Sequence, residues 1–257
     1  MIEISNLHKS FGAKKVLNGV SFNISPGRTL CLIGKSGCGK SVLLKHIVGL
    51  LEADQGFVKV DGKVVGAMKK KDIFGIRRKM GFVFQGAALF DSYNVFENIV
   101  ISLYEHGEKD RNVLEKEAKR VLSAVGLLPD IDDCSQEEFN DEWEILSKKK
   151  PSDLSGGMRK RVGVARALVG SPDYIFYDEP TTGLDPVTSD RIDALIANLA
   201  DKLNVTSIVI THDLFSVAKL AENVVMLDNG KVRFEGRPEE LKESKDEVVL
   251  EFLKRYS

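Results

Sequence analysis

The stretch CLIGKSGCGKSVLLKHIVGLL, residues 31–51, limits the possible folds of this chain more than any other. An apolar segment typical of a buried strand opens it, a glycine-rich loop follows, and a segment with helical spacing closes it. The loop GKSGCGKS fits the pattern G-x-x-x-x-G-K-[ST] in the strand-to-helix setting which that pattern requires. This order indicates an α/β fold with a phosphate-binding turn at the start of a helix.

The residues of this loop are candidate nucleotide contacts. Glycines allow successive main-chain N–H groups to point inward, where they can bind phosphate. We expect Lys40 to reach the β- and γ-phosphates and the Ser41 hydroxyl to ligate Mg²⁺. We also expect the Cys38 thiol, near a helix N-terminus, to have a lowered pKa and to react with alkylating agents unless nucleotide protects it. The candidate contacts are Gly34, Lys35, Ser36, Gly37, Cys38, Gly39, Lys40, Ser41 and Val42.

Charge and cysteine content narrow the function classes. The 37 Lys and Arg residues nearly cancel the 38 Asp and Glu residues, so no overall positive field favours nucleic acid, and we expect no nucleic-acid partner. The three cysteines lack metal-ligand spacing, which favours a reducing compartment. No signal-peptide pattern and no run of about 18 apolar residues is present. Work at a membrane would therefore need a membrane-spanning partner.

The hydrophobic pattern predicts alternating strands and helices. Residues 16–25 alternate as in a strand, and a hairpin is predicted around Asp61 and Gly62. Helical spacing appears at 95–103 and 113–125, and strands and helices alternate again after residue 155. We predict a mostly parallel sheet with crossover helices and an antiparallel β portion at the N-terminus. The prediction is one domain over residues 1–257, with a helical subdomain at about 86–170.

An acidic insertion is predicted at about 129–152, before the segment LSGGM. The segment is rich in acidic residues at its start and in lysines at its end. Because such charged runs are usually solvated, we expect residues 130–150 to form a surface loop. The alternative is a lineage-specific contact with Phe139 and Trp143 as anchors.

A second candidate site lies at the end of the apolar run in YIFYDEP, residues 174–180. A strand there would deliver Asp178 and Glu179 to the carboxyl edge of the sheet, where ligands of open α/β folds bind. Asp178 suits Mg²⁺, in the outer sphere or by direct coordination, and Glu179 is placed to polarise a water molecule.

The segment LSGGMRKRVGVARAL, residues 154–168, narrows the choice among phosphate-loop proteins. Here the chain resembles the ATP-binding cassette (ABC) family, whose signature reads LSGGQ, with Met158 in place of the glutamine. The resemblance implies a P-loop NTPase with an ABC ATPase core that binds ATP and Mg²⁺ and hydrolyses ATP. It also implies a head-to-tail dimer of identical chains. In that dimer, Ser155, Gly156 and Gly157 of one chain would close on the γ-phosphate bound by the other.

Further positions follow the order of the family over about residues 2–240. The resemblance implies that Phe11 stacks on adenine and that Gln85 contacts Mg²⁺, with Ser41 and Asp178 as the other metal ligands. It implies that Asp185 couples the paired sites and that His212 contacts the γ-phosphate. The residues implied in catalysis are Glu179, His212, Gln85 and Lys40.

Within the family, the segments FQGAALF and DEPTTGLDP, together with Met158, are similar to the ATPases of Mla-type phospholipid transporters. This implies a motor on the cytoplasmic side of the inner membrane, bound to a polytopic permease through a coupling helix, with an MCE-domain lipid-binding protein as a further partner. Two alternatives stay open: a soluble, non-transport ABC ATPase of the iron–sulfur assembly type, and an importer motor for another small substrate such as an amino acid or a metal.

Overall fold

The structure, a computed structural model, describes residues 1–130 and 132–256. Ile131 of the predicted insertion and Ser257 of the predicted domain lie outside the described residues. The strands are β1 (Ile2–Phe11), β2 (Lys14–Ile24), β3 (Thr29–Ile33), β4 (Gln55–Val60), β5 (Lys63–Val64), β6 (Met80–Val83), β7 (Tyr174–Asp178), β8 (Thr206–Ile210), β9 (Asn223–Asp228) and β10 (Lys231–Gly236). The helices are α1 (Lys40–Ile47), α2 (Lys70–Arg77), α3 (Val95–Glu105), α4 (Arg111–Ala124), α5 (Gln136–Lys148), α6 (Gly156–Leu168), α7 (Pro186–Leu203), α8 (Leu214–Leu220), α9 (Pro238–Lys242) and α10 (Glu247–Tyr256).

The chain divides into two compact units. The first contains residues 1–78 and 200–257, and the second contains residues 79–199. The predicted helical subdomain at about 86–170 falls inside the second unit, which begins earlier and ends later. Within residues 1–130 and 132–256, no helix combines the length and the apolarity needed to cross a membrane.

The first unit contains an antiparallel sheet in the order β2-β1-β4-β5, which confirms the predicted antiparallel portion. Ile2 and Ile4 of β1 are buried there, because alternate side chains of a strand share one face. The same unit has the strand order β10-β9-β3-β8, in which β3 runs parallel to both β8 and β9. All five residues of β3 are buried, as is typical of a parallel strand covered on both faces.

The predicted hairpin around Asp61 and Gly62 is confirmed. Strands β4 and β5 pair antiparallel, with Val60 opposite Lys63. Asp61 has a φ of 50° and Gly62 a φ of 77°. Two positive φ values in a two-residue loop match the right-handed twist of the flanking strands, and Asp-Gly is well suited to them.

The second unit pairs β6 with β7 in parallel, with Phe82 opposite Phe176 and their rings stacked at 4.8 Å. Helices α3 and α4 contain the two segments predicted as helical at 95–103 and 113–125. An Asn94–Glu97 capping box starts α3, because each side chain bonds the main-chain N–H of the other.

The expectation of a solvated loop at 130–150 is wrong, because α5 occupies most of this segment. The side chains of Ser135 and Glu138 form a capping box at its start. Phe139, Trp143 and Leu146 follow at helical spacing and are buried. The Trp143 ring meets the Phe96 ring edge-on at 5.8 Å. Both aromatic residues therefore pack within their own chain, and the alternative of a lineage-specific contact stays a prediction.

Candidate functional site

The phosphate loop of the first unit connects β3 to α1 as predicted, and α1 begins at Lys40. Gly34 has a φ of 144°, and a Cβ there would lie 2.2 Å from the Leu227 carbonyl oxygen. A Cβ at Gly39 would lie 2.8 Å from a methyl of Leu17. These glycines therefore allow the loop to pass close to neighbouring main chain, in a curl that other residues could not adopt.

The Lys40 ammonium lies inside this loop. It donates hydrogen bonds to the Gly34 carbonyl at 2.6 Å and the Lys35 carbonyl at 3.1 Å. A cation placed at the start of a helix, beside main-chain N–H groups, provides the positive potential that a polyphosphate requires. The loop therefore fits a nucleotide phosphate chain.

The lowered pKa expected for the Cys38 thiol is contradicted. Its side chain is buried, and this desolvation raises the pKa of the Cys38 thiol, although the nearby Lys40 charge acts in the opposite direction. Burial penalises the thiolate more than the helix N-terminus and Lys40 favour it. The physical basis for selective alkylation at this position is therefore lost.

Two further candidates of the first unit lie at exposed positions. Phe11 ends β1 with about half of its side chain exposed, and the Lys9 ammonium lies 5.7 Å from the centre of its ring. His212 follows β8 and is exposed. The next residue, Asp213, caps α8 by accepting a hydrogen bond from the Phe215 N–H at 2.8 Å. An exposed aromatic ring and an exposed imidazole remain accessible to a ligand.

Asp178 and Glu179 stand where the sequence predicts, at the carboxyl end of β7 in the second unit. Four buried residues precede them along the strand, and both acids are partly exposed. Glu179 has a φ of 49°, an uncommon value for a residue other than glycine. Its Oε2 accepts a hydrogen bond from Thr182 Oγ1 at 3.1 Å. Thr182 orients this carboxylate, and its place three residues beyond Glu179 in a turn is the signal that the sequence reasoning missed.

Ser155 is the N-cap of α6, so the signature begins a helix as predicted. Its hydroxyl oxygen accepts a hydrogen bond from the Met158 N–H at 3.2 Å, which leaves the hydroxyl proton available for a ligand. Ser155, Gly156 and Gly157 line a cavity of about 560 Å³ together with Asp185. The structure thus brings four predicted site residues of the second unit to one cavity.

Asp185 itself caps α7. Its carboxylate accepts hydrogen bonds from Thr188 Oγ1 at 2.6 Å and from the Thr188 N–H at 3.0 Å. These bonds lower the pKa of Asp185, so it is a carboxylate at neutral pH. The two bonds to Thr188 hold the Asp185 carboxylate at the start of α7, where it lines the cavity.

Gln85 lies two residues beyond β6 with an exposed side chain. Its carbonyl accepts a hydrogen bond from the ammonium of Lys160 on α6, a residue that sequence reasoning missed. Burial lowers the pKa of Lys160, whereas the charge of Glu179 acts in the opposite direction. Lys160 lies on the helix face that also carries Gly163 and Ala167. A lysine on a face of small residues is the sequence feature that could have identified it.

Comparison with known proteins identifies the family of the chain. The family model described as "ABC transporter" matches residues 17–182. The chain is 34% identical over 254 residues to the intermembrane phospholipid transport system ATP-binding protein MlaF of Haemophilus influenzae, covering 99% of this chain and 90% of that protein. It is 36% identical to the methionine import ATP-binding protein MetN of Carboxydothermus hydrogenoformans, covering 92% of this chain and 66% of that protein.

A solved structure is similar over most of the chain. It is the ATP-binding cassette MJ0796 in a dimeric post-hydrolysis state bound to ADP and Pi. The TM-score is 0.77 at 30% identity, covering 93% of this chain and 99% of that chain. The predicted α/β fold with an ABC ATPase core is confirmed. On its phosphate loop, its signature helix and these matches, the chain belongs to the ABC transporter family of ATP-hydrolysing proteins.

Proposed function

We propose that this ABC ATPase is the motor subunit of a phospholipid transporter. The observation that carries the proposal is the similarity to MlaF over almost the full length of both chains. Met158 in the signature is a second, local point in favour, because this position is part of the resemblance to the Mla-type ATPases. The MetN relative is named a methionine import ATP-binding protein, so an importer motor for a small substrate is one alternative that the experiment must separate.

In the proposed cycle, the loop at residues 34–42 binds the phosphates of ATP, Lys40 balances the charge of the β- and γ-phosphates, and Phe11 stacks on adenine. Ser41, Gln85 and Asp178 are the residues proposed to hold Mg²⁺, which would neutralise charge on the phosphate oxygens when bound. A hydroxyl, an amide oxygen and one carboxylate suit this ion, which retains water and phosphate ligands. Among the described residues, no group of three or more His, Cys, Asp or Glu side chains is arranged to hold a metal by itself.

Glu179 is proposed to accept a hydrogen bond from the attacking water and to orient it. The Thr182 hydroxyl donates to Oε2 of Glu179 at 3.1 Å and so orients this carboxylate. We propose that His212 donates to the γ-phosphate. We further propose a head-to-tail dimer, in which Ser155, Gly156 and Gly157 bind the γ-phosphate held by the partner, and Asp185 couples the two sites. Hydrolysis then removes the group that links the two chains.

The proposed partners are a polytopic permease, bound through a coupling helix, and an MCE-domain lipid-binding protein. This arrangement would place the chain on the cytoplasmic side of the inner membrane. Purification of the tagged chain from its native membrane, with analysis of bound lipid, tests this part. A co-purified membrane protein with phospholipid in an associated binding protein is the expected result. An amino acid or metal in the binding protein would support the importer, and a soluble scaffold without a membrane protein would support the iron–sulfur alternative.

The catalytic roles are tested with Glu179→Gln and Lys40→Ala. We expect Glu179→Gln to retain ATP binding, to lose hydrolysis and to accumulate as a dimer with ATP and Mg²⁺, whereas Lys40→Ala loses ATP binding. Size-exclusion chromatography with light scattering, phosphate release and nucleotide binding provide the three measurements. Hydrolysis by Glu179→Gln at the parental rate would refute the role of this residue.

A further inference from the structure

Lys160 is a charged side chain in the interior of the second unit. Only 6% of it is exposed, and it projects from α6 five residues beyond Ser155. Its ammonium donates to the main-chain carbonyl of Gln85 and to that of Glu179, the latter at 3.4 Å. A buried charge is costly unless it is hydrogen-bonded, and here both acceptors belong to residues with proposed catalytic roles.

Helix α6 also contacts the residues that follow Gln85. Arg166 donates to the Ala88 carbonyl at 2.8 Å and to the Ala87 carbonyl at 2.7 Å. A Cβ at Gly163, between the two cations, would lie 3.2 Å from the Cβ of Ala87, so the helix and this segment are in close contact. Lys160 and Arg166 thus bind three of the four main-chain carbonyls between residues 85 and 88.

This segment has an unusual backbone conformation. Ala87 and Ala88 have φ values of 61° and 46°, which are disfavoured for residues with a Cβ. Glu179, the other residue whose carbonyl Lys160 contacts, also has a positive φ, of 49°. Such conformations persist when surrounding contacts determine them. The contacts that meet these carbonyls come from the cations of α6 and, at Glu179, also from the Thr182 N–H at 3.3 Å.

We propose that Lys160 is a positioning residue for hydrolysis, which fixes the main chain of Gln85 and Glu179 relative to the signature helix. The proposal rests on the proposed function, because it uses the roles given there to Ser155, Gln85 and Glu179. An α-helix rises about 1.5 Å per residue, so Lys160 lies about 7.5 Å along α6 from the serine. A shift of α6 on engagement of Ser155 would move the ammonium, and with it the main chain that orients the water-polarising carboxylate.

The test compares Lys160→Met, which has no donor, with Lys160→Gln, which keeps one. Both side chains are one bond shorter than lysine, so the two variants differ in the donor and not in length. Lys116→Met, at an exposed position of α4, is the matched control. We expect kcat for ATP hydrolysis to fall about tenfold or more in Lys160→Met and a few-fold in Lys160→Gln, because small displacements of catalytic groups are costly. The KM for ATP stays within about twofold, since ground-state binding is not altered. The control keeps both parental constants.

A merely structural role would give a different result. If Lys160 only stabilised the fold, its replacement would lower the fraction of folded protein. The kcat per folded molecule would then be the same in the parental protein, Lys160→Gln and Lys160→Met. Thermal unfolding of each variant is therefore recorded first, and its hydrolysis rate is then divided by the concentration of its nucleotide-binding sites. If Lys160→Met does not fold, Lys160→Gln carries the test. A parental kcat in either folded variant, or a raised KM with unchanged kcat, overturns the proposal.

Glu179→Gln, measured in parallel, distinguishes failure of the proposed catalytic roles from failure of the positioning role of Lys160. Retained hydrolysis in Glu179→Gln refutes the proposed roles themselves. Lost hydrolysis there, combined with parental kcat in Lys160→Met, refutes only the positioning role. In a Glu179→Gln background, Lys160→Met should still form the ATP-dependent dimer, because Lys160 acts on the orientation of the catalytic main chain and not on nucleotide binding.

Discussion

Trp143→Ala should destabilise the second unit strongly, because the α5 helix is anchored by this side chain. Trp143 is 4% exposed, meets Phe96 edge-on at 5.8 Å, and has the Lys119 ammonium 5.2 Å from its ring. Truncation of a buried Trp typically costs about 3–5 kcal/mol. The aromatic pair and the cation–π contact account for about 1 kcal/mol each within that range. We expect a loss of about 4 kcal/mol in the free energy of unfolding.

Urea unfolding followed by far-UV circular dichroism is the appropriate assay, since Trp143 is the single tryptophan and its fluorescence disappears with the substitution. Ile145→Ala is the matched control on the same helix. Ile145 is 63% exposed, so its truncation should change the free energy of unfolding by less than about 0.5 kcal/mol. Trp143→Phe should lie between the two. A loss below about 1 kcal/mol for Trp143→Ala, well under the range for buried aromatic residues, would show that α5 is not anchored as described.

Two further predictions concern the phosphate loop and the second unit. Gly34→Ala should abolish ATP binding, because its Cβ would lie 2.2 Å from a main-chain oxygen. Gly37→Ala has no atom within 4 Å of the added Cβ and should cost only about 1–2 kcal/mol of stability, from its positive φ. Equal ATP affinities of the two variants by calorimetry would contradict this prediction. Burial would raise the pKa of Glu117, but hydrogen bonds from Arg120 and the Gly170 N–H outweigh it and lower the pKa. Its stabilising effect is therefore present above the unfolded pKa and is lost as pH falls through the folded pKa. The difference in free energy of unfolding between the parental protein and Glu117→Gln should shrink as the pH falls from neutral through the folded pKa of Glu117, and a constant difference would exclude this linkage.

Local patterns were enough to predict the phosphate loop, the signature helix and the strand that ends in two acids. Each of these is specified by near neighbours in sequence: glycines that permit a curl, a serine that caps a helix, an apolar run that must be buried. The α5 helix could also have been predicted, because Ser135 and Glu138 form a capping box and Phe139, Trp143 and Leu146 follow at helical spacing. The high acidic charge of the segment is typical of a solvated loop, and it is equally compatible with the exposed face of an amphipathic helix.

Contacts between residues distant in sequence could be decided only by the tertiary structure. The Lys160 contact with the Gln85 carbonyl spans 75 positions, and the contacts of Arg166 with Ala87 and Ala88 span 79 and 78. Cys38 shows the same limit for electrostatics, since its helix N-terminus is visible in the sequence but its burial is not. Sequence determined which chemical groups are present and the local elements that carry them. Packing determined which of these groups are desolvated and which main-chain carbonyls they bind, because both depend on side chains that only the folded chain brings together.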